Sequence, residues 1–466
     1  MKIGLEVHVE LNTDTKLFCS CQRNSEEPNS STCPVCLGHP GTRPRLNKKV
    51  VEYAVQVAKS LSFDLEPRLE FSRKNYFYPD LSKNYQITQY NKPVGKNGSL
   101  RITQDKTVTL KRIHVEEDPA STLYPRSMTK SEYTLLDYNR AGTPLLEIVT
   151  TPCIKTPGEA RQFLNELTDL LTYLDVFNPE NSNIKADANI SIKETGYERI
   201  EIKNITGFKA IETALHYEKT RQKALLRRGR TVTRETRTWD ATSKTTRPMR
   251  QKETEAEYGY IKEPDLPRKT HTQKYIDTVT QVLPELPQQR IQRYHDDYNI
   301  PRGTAKILTK NQRLGTFFED TKQYVDNPVT VANWVRREIL KVLKDTEKTL
   351  KETQITPKNL GTLLSLLEQE RISETTAQQL TRKLQTQDLD IERYVEQNGL
   401  EQVSNSEDLQ RIVEAVIKSN EEAVSDYTNG EEKALHYLLG QVMKETRGQA
   451  NPEKTKTLME QALKEV

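Results

Sequence analysis

In the opening stretch GLEVHVEL, Leu5, Val7, Val9 and Leu11 alternate with Glu6, His8 and Glu10. A period of two predicts a β-strand with one apolar face, and its other face carries two acids around an imidazole. TVTLKRIHV (107–115), NIKADANISIK (183–193) and RIEIKNI (199–205) alternate similarly and are predicted strands. NKKVVEYAVQVAKSL (47–61) instead places Val50, Ala54, Val57, Ala58 and Leu61 on one helical stripe, with Asn47 positioned to cap it. From LPELPQQRIQRYHDDYNIP (283–301) onward, helical periodicity replaces alternation; Pro284, Pro287, Pro301 and Pro328 punctuate the change, and Thr356-Pro357 opens a further amphipathic run. The pattern predicts an α+β fold: antiparallel strands with helices over residues 1–290, a helical domain over 291–350 and a small all-α tail over 351–466.

The segments at 183–193 and 199–205 read as a hairpin turning near Gly196. Ile184, Ala186, Ala188, Ile190 and Ile192 then share a face with Ile200 and Ile202, while Lys185, Asp187, Asn189 and Ser191 share the other with Glu201 and Lys203. Centring the turn on Glu194 or Thr195 leaves two registers, with Asp187 opposite Glu201 or Lys203. Facing acids repel by up to roughly 1 kcal/mol unless a cation joins them, and hard divalent cations take oxygen ligands; a solvated sheet face is the plainer alternative. In KRIHVEEDPAS (111–121) the alternation slips between Leu110 and Ile113, which predicts a bulge near Arg112 and leaves open whether Glu116 or Glu117 shares the polar face. Together with Glu6, His8, Asp187 and Glu201, these acids form a donor set for metal-assisted phosphoryl chemistry.

Cys19-x-Cys21 and Cys33-Pro-Val-Cys36 form two close pairs separated by eleven residues. Four thiolates in a reducing compartment suit one tetrahedral ion, zinc above others, although the first pair is a residue shorter than usual. Redox chemistry is the alternative, but CPVCLGHPG runs into a Pro/Gly-rich loop and not a helix. Cys153 stands apart. A charged fraction of 29%, a mean hydropathy of -0.79 and the absence of an apolar run near ~18 residues predict a soluble, cytoplasmic protein with no membrane partner.

The net charge of +4 is uneven: residues 351–466 hold 14 basic against 21 acidic side chains, leaving 56 against 45 upstream. A polyanion is therefore expected to meet mainly the N-terminal part. Ten basic residues lie between 221 and 250 (Arg221, Lys223, Arg227, Arg228, Arg230, Arg234, Arg237, Lys244, Arg247 and Arg250) against Glu235 and Asp240, as solvated surface or as phosphate contacts. Neither the Walker nor the Rossmann glycine motif occurs, and no Gly/Ser-rich nucleophile loop is present.

The segments IGLEVHVEL, CPVCLGHPG, SRKNYFYPDLSKNYQITQY, RIHVEEDPA, LLDYNRAGTPLLEIVTTP, KADANIS, EIKN, PDLPRK and LLGQVMKETRGQANP follow one another in an order that resembles the B-subunit family of the aspartyl/glutamyl-tRNA amidotransferases across essentially the whole chain. The resemblance implies a cradle-shaped kinase domain, a helical domain and a helical tail. It implies that ATP and Mg²⁺ phosphorylate the side-chain carboxylate of mischarged Asp-tRNA(Asn) or Glu-tRNA(Gln), and that ammonia from glutamine displaces the phosphate. An amidase A subunit and a small C subunit would complete a heterotrimer, with an aminoacyl-tRNA synthetase as a further partner.

By the same resemblance Glu6, His8, Glu117, Asp187 and Glu201 gather the metal and ammonia end of the site, with His8, Glu117 and Glu201 as Mg²⁺ ligands and Glu116 beside them. Lys74 and Lys203 are the cations for phosphates, and Asn139, Arg140 and Asn189 line the pocket. Tyr76, Phe77 and Tyr78 stack on a terminal adenine or fill the core. Cys19, Cys21, Cys33 and Cys36 hold structural Zn²⁺, and Lys444, Arg447, Lys454 and Lys456 give the acidic tail a local tRNA patch.

Several segments depart from the family pattern. EEDPAST replaces EEDAGK, Ala186 stands where cysteine is common, and NPENSNIK (178–185) replaces EEGSLR. Two other readings compete. One is the related E subunit, which serves tRNA(Gln) alone and carries an inserted domain that 466 residues hardly accommodate. The other is a non-catalytic, zinc-stabilised RNA-binding protein, which leaves the carboxylate faces unexplained.

Overall fold

The N-terminal alternation becomes β1 (Lys2–Glu10), a strand buried in the middle of a nine-stranded sheet. The computed structural model describes residues 1–126, 131–249, 258–402, 406–428, 430–446 and 449–464. The other eight strands are β2 (Asp64–Leu65), β3 (Gly95–Arg101), β4 (Thr107–Glu117), β5 (Pro144–Thr150), β6 (Ile184–Ser191), β7 (Ile200–Lys203), β8 (Glu235–Asp240) and β9 (Thr245–Pro248). Their order is β9-β8-β7-β6-β1-β5-β4-β3-β2. All neighbours pair antiparallel except β7 and β8. The expected antiparallel sheet is therefore mixed, because a long helix after β7 carries the chain back to the end of the sheet where β7 began.

Helices α1 (Lys48–Ser60), α2 (Pro157–Tyr173) and α3 (Phe208–Arg227) pack on β4, β1 and β6 respectively. They meet the apolar positions of the sheet: Ile3, Leu5, Val7 and Val9 share a core with Val57, Phe163, Leu167 and Leu215. Each such side chain contributes roughly 1.5–3 kcal/mol on burial, so slipping β1 by one residue would forfeit several of these at once. Where β5 meets β4, Val149 faces Arg112 while Thr150 faces Leu110, which makes Lys111 the extra residue of a bulge in β4. Alongside the main sheet, strands Ser72–Asn75, Tyr85–Thr88 and Ile261–Lys262 form a three-stranded sheet.

Contacts divide the chain into two units, Met1–Leu286 and Pro287–Val466. In the second unit Tyr294, Phe318, Trp334, Ile339, Leu360 and Leu384 belong to one apolar cluster, and Leu409, Val413, Leu438, Val442 and Met459 to another. Residue 350, the expected boundary, falls inside the first cluster, where Val342, Ile355 and Leu360 share one core. The chain passes between the clusters after Leu400 and before Leu409. Among the described residues, no helix is long and apolar enough to cross a membrane.

Asn47 caps α1 as its position predicts: its Oδ1 accepts the Lys49 N–H at 2.9 Å, and its Nδ2 donates to Thr15 Oγ1 at 3.0 Å, pinning the helix start to the loop after β1. Asn47→Ala is expected to lower stability by about 1–2 kcal/mol, read as an earlier urea transition; an unchanged midpoint would show that the cap contributes nothing.

Candidate functional site

Strand register assembles the polar face of the sheet. His8 of β1 stands between Glu147 of β5 and Lys185 of β6, and His114 of β4 faces Glu147 from the far side. The bulge at Lys111 flips the parity of β4, so Arg112, His114 and Glu116 take the polar face and Glu117 does not. His8 Nε2 lies 3.4 Å from both Glu116 Oε1 and Glu147 Oε2, and His114 Nε2 lies 3.2 Å from Glu147 Oε2. Thr88 Oγ1 donates to Glu116 at 3.2 Å. One ligand atom each from His8, Glu116 and Glu147 falls within 4.8 Å of the others, a set that fits a divalent cation.

Electrostatics within this group are balanced. Burial opposes ionisation of Glu116 and Glu147, but hydrogen bonds and charge from His114 and His8 hold both carboxyls low, Glu147 well below the usual range. Burial likewise disfavours the His8 imidazolium, yet the Glu147 hydrogen bond and the nearby carboxylates outweigh it and raise its pKa to about 9. His114 is raised against burial by Glu147 and Glu116. A divalent cation entering this group would displace protons from the imidazoles. The sequence pattern flags neither Glu147 nor His114. PLLEIVT reads as an apolar run with one acid in it, and His114 sits where alternation slips.

A second group lies on the other flank of β1. Glu6 faces Asp187, and Asn189 faces Glu201. Of the two open registers the hairpin takes the one that brings Lys203 to Asp187: Nζ is 2.6 Å from Asp187 Oδ2 and 3.6 Å from Glu201 Oε1. Thr236 Oγ1 donates to Glu201 Oε2 at 2.9 Å, and Asn189 Nδ2 donates to Glu6 Oε1 at 3.2 Å. Burial works against the Lys203 charge, but Asp187, Glu201 and Glu6 raise its pKa and keep it an ammonium. Lys203 therefore relieves the repulsion that cross-strand acids would otherwise suffer. Glu201, expected as a metal ligand with His8, is separated from it by β6. Glu117 also leaves that set: Lys83 Nζ donates to its Oε2 at 2.7 Å, and the Ile87 N–H to its Oε1 at 2.9 Å.

Other expected residues divide between open surface and structural ties. Lys74 Nζ lies 4.6 Å from the Tyr258 ring centroid and 5.4 Å from that of Tyr76. Tyr76 and Tyr258 meet edge to face, Tyr258 touches Tyr260, and Tyr260 stacks on Tyr90 at 4.1 Å. Phe77 is 80% exposed and Tyr78 40%, so these two aromatics are not core residues. Asn139, expected in the pocket lining, holds the cysteine loop: its Nδ2 donates to Glu27 O at 2.6 Å, and its Oδ1 accepts the Ser31 N–H at 2.8 Å. Arg140 donates to Pro119 O and Ala120 O and lies 3.5 Å from Asp118. Burial pushes the Asp118 carboxyl up to about 6 against the pull of Arg140 and Lys185. Both Asn139 and Arg140 nonetheless border an open polar pocket of about 540 Å³, with Glu10, Arg23 and Asn183. Glu10 itself accepts the Asn183 N–H at 3.0 Å.

Cys19, Cys21, Cys33 and Cys36 converge, one sulfur each within 4.8 Å of the others. A hydrogen bond from Cys19, the Cys33 N–H and the Lys16 charge pull the Cys36 thiol down to about 4 against burial. Burial and Cys33 push Cys21 up to about 11. Four sulfurs with a thiolate already favoured fit a tetrahedral metal site. Sequence reasoning missed Lys16, which is fully buried; its Nζ donates to Cys36 Sγ at 3.6 Å, Ser31 O at 2.8 Å and Tyr138 O at 3.1 Å. In the tail Lys444 is exposed, Lys454 pairs with Glu370 at 3.2 Å and Lys456 lies 3.9 Å from Glu460. Arg447 lies outside the described residues.

Metal titration separates Glu147 from Glu117. Glu147→Gln is expected to weaken Mn²⁺ binding at least about tenfold by calorimetry, the loss of one charged ligand, while Glu117→Gln leaves it unchanged; equal losses would reject the His8–Glu116–Glu147 assignment.

Residues 1–277 match the family model described as the GatB/GatE catalytic domain, and residues 316–463 match one described as the GatB domain. The B subunit of the aspartyl/glutamyl-tRNA(Asn/Gln) amidotransferase of Carboxydothermus hydrogenoformans is 42% identical over 471 residues, covering 99% of this chain and 98% of the relative. The proteins of the same name from Thermoanaerobacter pseudethanolicus and Thermotoga maritima are 41% and 39% identical, with the same shares covered. The catalytic-domain match takes in both groups on the sheet face and the cysteine cluster, and the chain belongs to the GatB/GatE catalytic-domain family.

Proposed function

We propose that the chain is the B subunit of a tRNA-dependent amidotransferase that converts Asp-tRNA(Asn), Glu-tRNA(Gln) or both to the amidated forms. The observation that carries this reading is the polar face of a family catalytic domain on which a metal-type His8–Glu116–Glu147 group adjoins acids bridged by Lys203. An E-type subunit is not favoured, since relatives named as B subunits align along 98% of their length. A binding protein without chemistry would not need this face.

The chemistry follows from the substrate. A free carboxylate is a poor electrophile, so one of its oxygens attacks the γ-phosphorus of ATP, the bond to ADP breaks, and an acyl phosphate forms. Ammonia then adds at the carbonyl carbon and inorganic phosphate leaves. His8, Glu116 and Glu147 would hold Mg²⁺, which would supply charge neutralisation for the transferring phosphoryl group. Lys203 and Lys74 supply fixed positive charge for phosphate oxygens, and Asp187 and Glu201 hold Lys203 in place. Addition of ammonia leaves a surplus proton, which an ionised carboxylate of this face accepts. Phe77 and Tyr78 offer open rings for the terminal adenine.

The remaining assignments rest on the same reading. Ammonia comes from glutamine through an amidase A subunit, which a small C subunit braces, and a synthetase delivers the mischarged tRNA in the cytosol. Zn²⁺ occupies the four cysteines as a structural ion, with Lys16 offsetting thiolate charge. Lys444 and Arg447, with Lys454 and Lys456 exchanging their surface carboxylates for phosphates, form the tail contact; exposed pairs of this kind are worth little and release readily.

The reconstituted complex with ATP, glutamine and each mischarged tRNA tests the reading. Glu201→Ala is expected to reduce phosphorylation of the mischarged tRNA by about 100-fold or more, as for loss of a group that positions the reacting centre, with tRNA affinity nearly intact. Wild-type turnover in that variant would sink the role given to this face. Cys33→Ser is expected to lose zinc by elemental analysis and to melt at lower temperature; zinc-free wild-type protein would reject the ion.

A further inference from the structure

The arginines between 221 and 250 divide into two groups. Arg221 and Arg237 turn inward. Arg221 Nη2 lies 2.7 Å from Glu218 Oε1 and 2.9 Å from Glu235 Oε1, and Arg237 Nη1 lies 2.9 Å from Glu235 Oε1. Glu218 is fully buried, so these guanidiniums neutralise a core carboxylate and are withheld from any ligand. Arg227, Arg228, Arg230 and Arg234 lie on the turn from the end of α3 into β8. All four are exposed, and among the described residues no carboxylate lies within ion-pair distance of them.

Strand pairing locates this turn. Glu235 faces Ile200 across the parallel β7–β8 pair, and Lys2 faces Ser191 across β1–β6. The start of β1, the β6–β7 turn and the start of β8 therefore share one end of the sheet. Lys223 of α3 pairs with Glu194 of the β6–β7 turn at 2.9 Å, which ties the last turns of the helix to the same rim and engages one of its acids. Among the described residues, Lys2, Lys193 and Arg199 join the four arginines there, with Glu198 as the acid left over. Tyr197 is 40% exposed on this rim, with Lys2 Nζ 4.3 Å from its ring centroid.

Lys203 stands three residues inward from Ile200 on β7, so the rim begins about 10 Å from the Lys203–Asp187 pair. We propose that this rim is a second tRNA contact, binding the phosphodiester backbone of the acceptor end whose terminus reaches the Lys203 face; it rests on the tRNA-dependent reading given above. Guanidinium forks match phosphate oxygens in pairs. A row of them beside the reacting centre suits a strand entering it, and the partly exposed ring of Tyr197 offers a base a stacking face on the side away from Lys2. The tail, acidic overall, cannot supply this attraction from bulk charge. The seven cations of the rim can.

The test uses the full complex with the triple variant Arg228→Gln/Arg230→Gln/Arg234→Gln, the single Arg230→Gln and a triple Arg→Lys variant at the same positions. Each lost phosphate contact removes about one unit from the slope of log affinity against log salt. The triple Gln variant is expected to lose about two to three units and the single variant about one, with the KM for mischarged tRNA raised roughly tenfold or more near physiological salt. The KM for ATP and the rate of glutamine hydrolysis should stay at wild-type values, and the lysine triple should recover most of the slope. An unchanged slope in the triple Gln variant overturns the rim while wild-type amidation leaves the functional reading standing. A reduced slope in a complex that amidates neither tRNA supports the rim and defeats that reading. Failure of the wild-type complex to bind tRNA defeats both.

Discussion

Burial of one face of β1 is the constraint on which the catalytic unit depends. Ile3, Leu5, Val7 and Val9 lie at or near zero exposure under α2 and its neighbours, and a strand cannot bury alternate residues without presenting the others on the opposite face. Glu6 and His8 are therefore held on the open side by the free energy of the core and not by their own contacts. Because β1 is central, its two neighbours bring Glu147 on one side and Asp187 on the other. The two groups of the site are thus the two flanks of a single strand.

Those flanks solve the same electrostatic problem differently. Carboxylates in a poorly solvated setting need compensating charge. Around His8 it comes from imidazoles, which can give up protons to a metal. Around Asp187 it comes from the Lys203 ammonium, which does not need a metal to be present. The cysteine cluster is a third case, in which buried Lys16 faces the sulfur of Cys36 while its other bonds reach Ser31 and Tyr138. Lys16 thereby links the metal-type loop to the turn bearing Asn139 and Arg140, and Arg140 in turn holds the backbone after Asp118.

Much of the architecture is legible in the sequence because its determinants are local. The alternation of β1, the hairpin of β6 and β7, the Asn47 cap and the change to helical periodicity after residue 283 all depend on neighbours within a few positions. The slip between Leu110 and Ile113 correctly marks a bulge as well. The parallel pairing of β8 is not legible in this way, since it depends on where α3 delivers the chain. The division of the helical region is also non-local: Val342 and Ile355 share a core on either side of residue 350.

By itself the sequence determined which residues are candidates for chemistry: acids and a histidine on alternating positions, four cysteines in close pairs, and three aromatics just after Lys74. Only the tertiary structure decided which of them meet. One extra residue at Lys111 places Glu116 beside His8 and sends Glu117 to Lys83. An apolar-looking strand supplies Glu147, and the hairpin register gives Asp187 to Lys203. Side-chain type and period are properties of short segments, but the parity of a bulged strand and the register of distant partners are set by packing across the whole sheet.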